Sequence, residues 1–157
     1  PIVLDADAIN ILSTHRNWLS RIPKRSILTP HLGELERLIG KCMDTYERLT
    51  KVKELAAYLQ SYIIVKGAWT CIVTPEGNYY FNPTGNPGMA TGGSGDVLTG
   101  ILLGLLAQGY EREDACRLGV YVHGLAGNLA AEEKTEIGMT ANDIIEALPK
   151  AWKTLTT

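Results

Sequence analysis

Short runs of apolar residues, many of them β-branched, alternate along the chain with longer stretches in which apolar positions recur at helical spacing. We predict strands at five of the short runs, namely residues 2–4, 26–28, 62–65, 71–74 and 79–81. The runs around Ile2 and Ile63 are continuous, which is typical of strands covered on both faces of a parallel sheet. Residues 74–78 include Pro, Gly and Asn, so they predict a hairpin turn before the last strand.

Four longer stretches predict helices. Residues 47–60 are amphipathic, residues 97–108 are apolar nearly all round and therefore buried, and residues 114–133 are rich in Ala and Gly. A last amphipathic helix follows a cap at Thr140, and we expect Pro149 to kink or stop it. Strands that alternate with helices over 157 residues predict a single α/β domain spanning residues 1–157, with a largely parallel sheet.

Composition and charge narrow the function classes. The chain is 45% hydrophobic and 20% charged with a net charge of −2, so it has no basic stripe with which to bind nucleic acid. No apolar run is long enough to cross a membrane, and we expect no membrane partner. The cysteines, Cys42, Cys71 and Cys116, are far apart, which favours free thiols in a reducing, cytoplasmic setting over disulfides or zinc.

The chain opens on the apolar run Pro1-Ile2-Val3-Leu4 without an initiator Met. A strand needs neighbours, and a natural domain rarely begins with one that has no preceding turn. We therefore expect the chain to be a piece of a longer protein, cut upstream, with one edge of its sheet left unpaired.

Glycine is concentrated in one segment, since seven of the sixteen glycines lie between Gly85 and Gly104. The core of this segment, Gly92-Gly93-Ser94-Gly95-Asp96, leads directly into the apolar helix. Glycines let the backbone approach a ligand closely, and the start of a helix offers unpaired N–H groups and partial positive charge. We expect the N–H groups of Gly93, Ser94 and Gly95 to form an anion hole for a phosphoryl group in transfer.

Two interpretations of Asp96 are open. It caps the helix, or it accepts a proton from a hydroxyl that attacks a phosphorus atom held in the anion hole. A lone Asp would favour the cap, but the flexible residues before Asp96 favour the catalytic base. The segment lacks the Gly-Lys-[Ser/Thr] ending of a Walker loop and the glycine spacing of a dinucleotide fingerprint.

The string GNPGMATGGSGDVLTG at residues 85–100 resembles the signature of the ADP/ATP-dependent NAD(P)H-hydrate dehydratases, members of the ribokinase-like superfamily. Four shorter strings resemble further motifs of that family, in the family's order: LDADAIN at 4–10, TPHLGE at 29–34, VKGAWT at 65–70 and HGLAG at 123–127. The resemblance implies a three-layer α/β/α fold with a mostly parallel sheet, truncated here at its N-terminus.

This resemblance implies an enzyme that repairs damaged nicotinamide cofactor. NADH or NADPH that has gained water at ring atom C6 is phosphorylated on the new hydroxyl by ADP or ATP, and elimination of phosphate then restores the double bond. The nucleotide brings Mg²⁺ with it, held mostly by phosphates and water because no all-protein cage is visible. The implied partner is the small-molecule hydrate.

The resemblance also assigns residues. Asp96 and His31 contact the hydrate, and Gly95 contacts the nucleotide. The residues implied to line the nucleotide site are Lys66, Gly67, Ala68, Trp69 and Thr70, followed by Asn86, Gly88 and Met89 on the wall of the phosphate path.

Asn10, Asp5 and Asp7 follow the first strand, where polar side chains suggest phosphate, Mg²⁺ or substrate contacts. For Asn10, a substrate contact and a cap of the short helix through Leu12 are equally favoured.

Each carried-over residue has a plainer alternative. Taken alone, Lys66 is a solvated lysine at a strand end and His31 a turn residue. Glu34 is equally an acidic residue favoured near a helix N-terminus. Leu32 replaces the family's second proline, which puts the shape of that turn in question. His123 is expected to pack against the helix that follows the glycines, and Asn128, where the family often has Asp, touches no assigned role.

Family members carry further β-α units before the strand that leads into the LDADAIN motif, so we expect this chain alone to be weakly active or inactive. An epimerase domain fused upstream is left open, and the family's tendency together with the exposed sheet edge favours a homo-oligomer. Two rival functions remain: a ribokinase-like kinase of a vitamin-precursor alcohol, and a catalytically silent nucleotide-binding module.

Overall fold

The computed structural model describes residues 2–156, so Pro1 and Thr157, which the domain prediction included, lie outside the described residues. The chain divides into two compact units, residues 2–81 and residues 82–156. The five strands belong to the first unit, and the second is helical. The prediction of one domain over the whole chain stays a prediction.

The first unit contains a five-stranded sheet in the order β1-β2-β3-β4-β5. Strands β1, β2 and β3 run parallel to one another, whereas β4 pairs antiparallel with both β3 and β5. The predicted hairpin is confirmed, and the Gly77 N–H donates to the Thr74 carbonyl across its turn at 2.9 Å. The strands are β1 Val3–Leu4, β2 Ile27–Leu28, β3 Tyr62–Val65, β4 Cys71–Val73 and β5 Tyr79–Phe81.

The two continuous apolar runs, around Ile2 and Ile63, differ in how deeply they are buried. All four residues of β3 are buried, as predicted for a strand covered on both faces. The same prediction is wrong for β1, whose residues are only half-buried, while Ile2 before it is 44% exposed. The reason is position, because β1 lies at the end of the strand order with a partner on one side only.

Three α-helices belong to the first unit: α1 Asp7–Thr14, α2 Leu32–Ile39 and α3 Thr45–Leu59. Helix α3 begins two residues before its predicted start, because the Asp44 carboxylate caps it by accepting the Glu47 N–H at 2.8 Å. A 3-10 helix at Arg16–Arg21 was not predicted. One core cluster joins α2 and α3 to β3 and β4 through Leu35, Val52, Ala56, Ile63, Val65, Cys71 and Val73.

The second unit contains a 3-10 helix at Pro87–Met89 and the helices α4 Ser94–Ala107, α5 Arg112–Lys134 and α6 Ala141–Leu155. The predicted cap of α6 is confirmed as a capping box, in which the Asp143 carboxylate accepts the Thr140 N–H at 2.7 Å. Pro149 does not stop α6, which continues to Leu155. Buried Ile144 and Ala151 flank the proline in the core with α5, and this packing offsets the hydrogen bond that proline cannot make.

No helix within residues 2–156 combines the length and the apolar character needed to cross a membrane. The three cysteines are free thiols, as expected; Cys71 and Cys116 are buried, and Cys42 is half-buried.

Candidate active site

The glycine-rich segment enters α4 earlier than the sequence suggests. Helix α4 begins at Ser94, so Asp96 occupies its third position rather than its boundary. The N-cap position belongs to Gly93, whose φ of 89° lies in the left-handed region that favours glycine. The interpretation of Asp96 as the capping residue is therefore wrong, and its carboxylate lies in the first turn of the helix.

The first turn of α4 has N–H groups available to a ligand, although of the predicted donors Gly93, Ser94 and Gly95 the Ser94 N–H already has an acceptor. The Gly95 and Asp96 N–H groups stand at the second and third helical positions, where no intrahelical acceptor exists. The Ser94 N–H donates to the Thr91 carbonyl over a long 3.3 Å. A methyl group on Gly93 would lie 3.1 Å from the Ala141 side chain, so the chain needs glycine there for space as well as conformation.

A cavity of about 860 Å³ opens beside this turn. Asp96 and Gly93 lie on its wall, and the rest is built from α4, α6 and the residues Gln108 and Tyr110 that follow α4. Gly100 and Gly104 on α4 widen it, because nothing occupies the space where their side chains would be. Its size is that of a typical small-molecule site, and it lies entirely within the second unit.

Helix α5 supports the glycine-rich segment through His123. The His123 Nε2 lies 2.9 Å from the Ser94 carbonyl oxygen and 3.4 Å from its Oγ. The prediction that His123 packs against the helix following the glycines is confirmed. Since a carbonyl only accepts, Nε2 carries the proton in this contact.

Small residues on α5 let the segment before α4 lie directly on it. Any side chain at Gly124 would overlap Thr84, and one at Gly127 would overlap Met89. The Thr84 hydroxyl donates to the Tyr121 carbonyl at 2.9 Å. Two of the HGLAG residues thus serve the close approach of residues 82–89 to α5.

Asn86, a candidate nucleotide contact, is held at both ends of its amide. Its Oδ1 accepts the Gly88 N–H at 3.0 Å, and its Nδ2 donates to the Asn128 Oδ1 at 3.1 Å. The expectation that Asn128 touches no assigned role is wrong. The partners are far apart in sequence, so no local pattern could have revealed the pair.

In the first unit, Lys66 is not a solvated lysine. Its ammonium donates to the Asp5 carboxylate at 2.6 Å, and its side chain is only 21% exposed. Burial alone would raise the pKa of Asp5, but the hydrogen bond and positive charge of Lys66, with hydrogen bonds from Thr29 and Ala6, lower it overall. The rest of the 66–70 loop is tied by the Thr70 hydroxyl, which donates to the Gly67 carbonyl at 3.1 Å, and leaves Trp69 exposed.

His31 is the N-cap of α2, a role that sequence reasoning missed because histidine is not among the usual capping residues. Its Nδ1 accepts the Gly33 and Glu34 N–H groups, and Glu34 in turn accepts the His31 backbone N–H at 2.9 Å. Leu32 is the first residue of α2, a position that suits proline equally well, so its replacement leaves the turn intact.

Asn10 lies inside α1, whose N-cap is Ala6, so the capping interpretation of Asn10 is wrong. Its Oδ1 accepts a 2.7 Å hydrogen bond from Arg37 Nη1, which links α1 to α2. Of the candidate residues, the first unit holds Asn10, His31 and the 66–70 loop, and the second holds Asn86 to Asp96. Among residues 2–156, no three His, Cys, Asp or Glu side chains converge as a metal site would require.

Comparison with known proteins agrees with this architecture. The family profile described as NAD(P)H-hydrate dehydratase matches residues 1–150. A bifunctional NAD(P)H-hydrate repair enzyme of Thermofilum pendens is 43% identical over 157 residues, which cover 99% of this chain and 30% of that protein.

Two solved structures are similar to this chain over nearly its whole length. The ADP/ATP-dependent NAD(P)H-hydrate dehydratase of Bacillus subtilis, co-crystallised with ATP/Mg²⁺, gives a TM-score of 0.82 at 37% identity over 98% of this chain and 55% of its own. A ribokinase-like superfamily protein of Enterococcus faecalis gives 0.81 at 34% identity over 97% of this chain and 52% of its own. The chain thus spans about half or less of the length of each of these three proteins. It belongs to the NAD(P)H-hydrate dehydratase family and has the ribokinase-like α/β fold.

Proposed function

We propose that this chain carries out the nucleotide-dependent dehydration of hydrated NADH or NADPH, which returns the damaged cofactor to use. One observation carries the proposal beyond family membership. The Asp96 carboxylate lies in the first turn of α4, beside N–H groups without intrahelical acceptors and on the wall of a cavity. A base beside an anion hole is what transfer of a phosphoryl group to a hydroxyl requires.

In the proposed reaction, Asp96 accepts the proton of the C6 hydroxyl as its oxygen attacks the terminal phosphorus of ADP or ATP. A new P–O bond forms to the hydrate, and the bond to the departing nucleotide breaks. The Gly95 and Asp96 N–H groups, with Gly93 and Ser94 shaping the turn, stabilise the charge on the transferred oxygens. Phosphate then leaves C6 with the electron pair of the C–O bond, and loss of a proton from the neighbouring carbon forms the double bond.

The donor nucleotide requires charge neutralisation. We assign that to Mg²⁺ held by the nucleotide's own phosphates and water, an assignment supported by the lack of a three-residue ligand cluster in the described chain and by the oxygen preference of this ion. The ATP and Mg²⁺ named for the Bacillus subtilis relative support the same choice. When bound, the ion would neutralise charge on the phosphoryl group in transfer.

We assign the nucleotide to the loop from Lys66 to Thr70 (Lys66, Gly67, Ala68, Trp69 and Thr70) and to Asn86, Gly88, Met89 and Gly95. The exposed Trp69 and the two-sided hold on Asn86 support this assignment. We assign the hydrate to His31 and Asp96. The bond of Asn10 to Arg37 occupies its Oδ1 and leaves its amide nitrogen as the group for a substrate contact.

The whole protein extends this proposal. We propose that residues 1–157 form one partial domain of a longer, cytoplasmic enzyme that self-associates. The bifunctional relative, of which this chain covers 30%, supports a second fused activity such as an epimerase.

The decisive experiment measures regenerated NADH by absorbance, with hydrated NADH plus ADP or ATP and Mg²⁺. It uses the longer protein that contains this chain and its Asp96→Asn variant, because this chain alone is expected to be weakly active or inactive. We expect Asp96→Asn to lose at least about 100-fold in turnover while nucleotide affinity is kept, since general base catalysis typically contributes 10²–10⁴-fold. Asp114→Asn, an exposed carboxylate in the first turn of α5, is the matched control and should turn over normally.

Three outcomes would contradict the proposal. Undiminished turnover of Asp96→Asn would remove Asp96 from the mechanism. Release of a phosphorylated alcohol without restored NADH would favour the rival kinase. Nucleotide binding by the longer wild-type protein without any turnover would favour the silent binding module.

A further inference from the structure

Both ring nitrogens of His31 are engaged within its own turn. Nδ1 accepts the Gly33 N–H at 3.0 Å and the Glu34 N–H at 3.3 Å, which a protonated nitrogen cannot do. Nε2 lies 3.2 Å from Glu34 Oε1, an acceptor that requires a donor. One arrangement satisfies every contact: the proton is on Nε2, and Nδ1 has none.

The Glu34 side chain is buried against His31 and contacts it at two points. Its side chain is 5% exposed, and its two oxygens divide between the two parts of His31. Oε2 accepts the His31 backbone N–H at 2.9 Å, while Oε1 faces Nε2. A carboxylate can satisfy both donors because it has only acceptor sites, whereas an amide has one oxygen and one NH₂ group.

Gly33 leaves the space that the His31 ring occupies. A methyl group added there would lie 3.1 Å from His31 Cε1 and 3.3 Å from Nδ1, which is tighter than ordinary van der Waals contact. The backbone on the other side is held as well, since the Lys66 N–H donates to the Pro30 carbonyl at 2.8 Å and His31 bridges to Lys66. The Lys66 ammonium is directed to Asp5. The charged group that faces the ring is therefore Glu34.

The ring is nevertheless open to a ligand, because the His31 side chain is 53% exposed. What it offers is its face and carbon edge, since its nitrogens already have partners. We propose that Glu34 is a positioning residue: it holds Nε2–H of His31 while the Gly33 and Glu34 N–H groups hold Nδ1, so that His31 meets the hydrate by stacking rather than by exchanging a proton. This inference rests on the proposed function for the identity of the ligand, and on the geometry of residues 30–34 for everything else.

The tautomer is read directly by long-range ¹H–¹⁵N NMR of the histidine rings in the full chain at neutral pH. His31 is assigned as the signal set that disappears in His31→Asn. We expect a protonated Nε2 and an unprotonated Nδ1 in the wild type. Glu34→Gln should leave Nδ1 unprotonated, because the backbone N–H groups of residues 33 and 34 still donate to it, but should shift the signals of Nε2–H, because the amide cannot accept from both donors. Glu36→Gln on the same helix should leave every His31 signal unchanged.

Affinity for hydrated NADPH tests the stacking contact. Asparagine retains the ability to cap α2 but lacks the ring, so His31→Asn should fold while its Kd rises about 5-fold, the size of an aromatic contact. Phenylalanine keeps a ring without exchangeable protons, so His31→Phe should lower the melting temperature yet bind the hydrate within about 3-fold of wild type.

The inference is overturned by a proton on Nδ1 in the wild type, by unchanged affinity in His31→Asn, or by unchanged Nε2–H signals in Glu34→Gln. A wild-type chain that does not bind the hydrate overturns the stacking contact. Failure of the proposed function has a different signature: the chain binds the hydrate with the expected tautomer, yet the longer protein that contains it regenerates no NADH with ADP or ATP.

Discussion

The ammonium of Lys66 donates a 2.6 Å hydrogen bond to the carboxylate of Asp5, which ties the carboxyl end of β3 to that of β1 across the intervening strand β2. The two side chains are 21% and 10% exposed, so the pair is shielded from solvent on most sides. The loop assigned to the nucleotide begins at Lys66. The ion pair therefore fixes where that loop leaves the sheet.

We predict that Asp5→Asn lowers the free energy of unfolding by about 2 kcal/mol at pH 7, because it leaves a largely buried ammonium without its counter-ion. The pKa of Asp5 is lowered in the folded chain, so its contribution is fully present above the unfolded value of about 4 and is lost as the pH falls through the folded value. Urea unfolding at pH 7 and pH 3 measures the difference. Equal losses at the two values would contradict the assignment.

The contact of His123 with Ser94 predicts different nucleotide affinities for two His123 variants. His123→Leu removes the donor to the Ser94 carbonyl and should raise the Kd for ADP or ATP about 5-fold, the value of one hydrogen bond. His123→Gln retains an N–H donor and should bind within about 2-fold of wild type. Titration calorimetry with urea unfolding separates the effects. A loss of stability with unchanged affinity in His123→Leu would restrict the contact to packing.

The left-handed conformation of Gly93 predicts a penalty for any side chain there. Gly93→Ala should lower the free energy of unfolding by about 1–2 kcal/mol, from its φ of 89° and the tight approach to Ala141. Gly100→Ala is the matched control within α4, where the space is open and alanine should stabilise the helix by up to about 1 kcal/mol. Thermal unfolding compares the two, and shifts of the same sign would count against the Gly93 conformation.

Burial predicts the order in which the thiols react. It raises the pKa of Cys71 to about 11 and also raises that of Cys116, with the charge of Glu113 adding to the latter. At pH 8, iodoacetamide should therefore modify Cys42 first, because it is half-buried while the other two are buried. Intact mass and peptide mapping follow the reaction, and all three thiols should react in urea. Native Cys71 reacting as fast as Cys42 would refute the order.

Features that depend on neighbouring residues were predictable. The apolar run of β3, the turn chemistry at residues 74–78 and the capping box at Thr140 and Asp143 each act within a few residues, so the amino-acid pattern contains them. The glycine-rich segment leading into α4 was equally predictable, because its glycines both identify it in the sequence and permit the close approach of its backbone.

The predicted ends of the helices were less accurate, and the reason is physical. Helix α4 begins at Ser94 because Gly93 takes a left-handed conformation, and α6 continues through Pro149 because the flanking residues are buried against α5. Local helix propensity opposes glycine residues at the start of α4 and a proline within α6. The conformation of Gly93 outweighed it in the first case, and packing against α5 outweighed it in the second.

The sequence by itself therefore determined the class of the fold, the family and the position of Asp96 at the glycine-rich entry to α4. Only the tertiary structure decided the partners of the polar side chains: Lys66 with Asp5, Asn86 with Asn128 and Asn10 with Arg37. Each pair joins residues at least 27 positions apart, and such a contact exists only after the chain has folded. That is why a residue type marks where polar chemistry is available, while its partner decides whether the side chain binds a ligand or holds the fold.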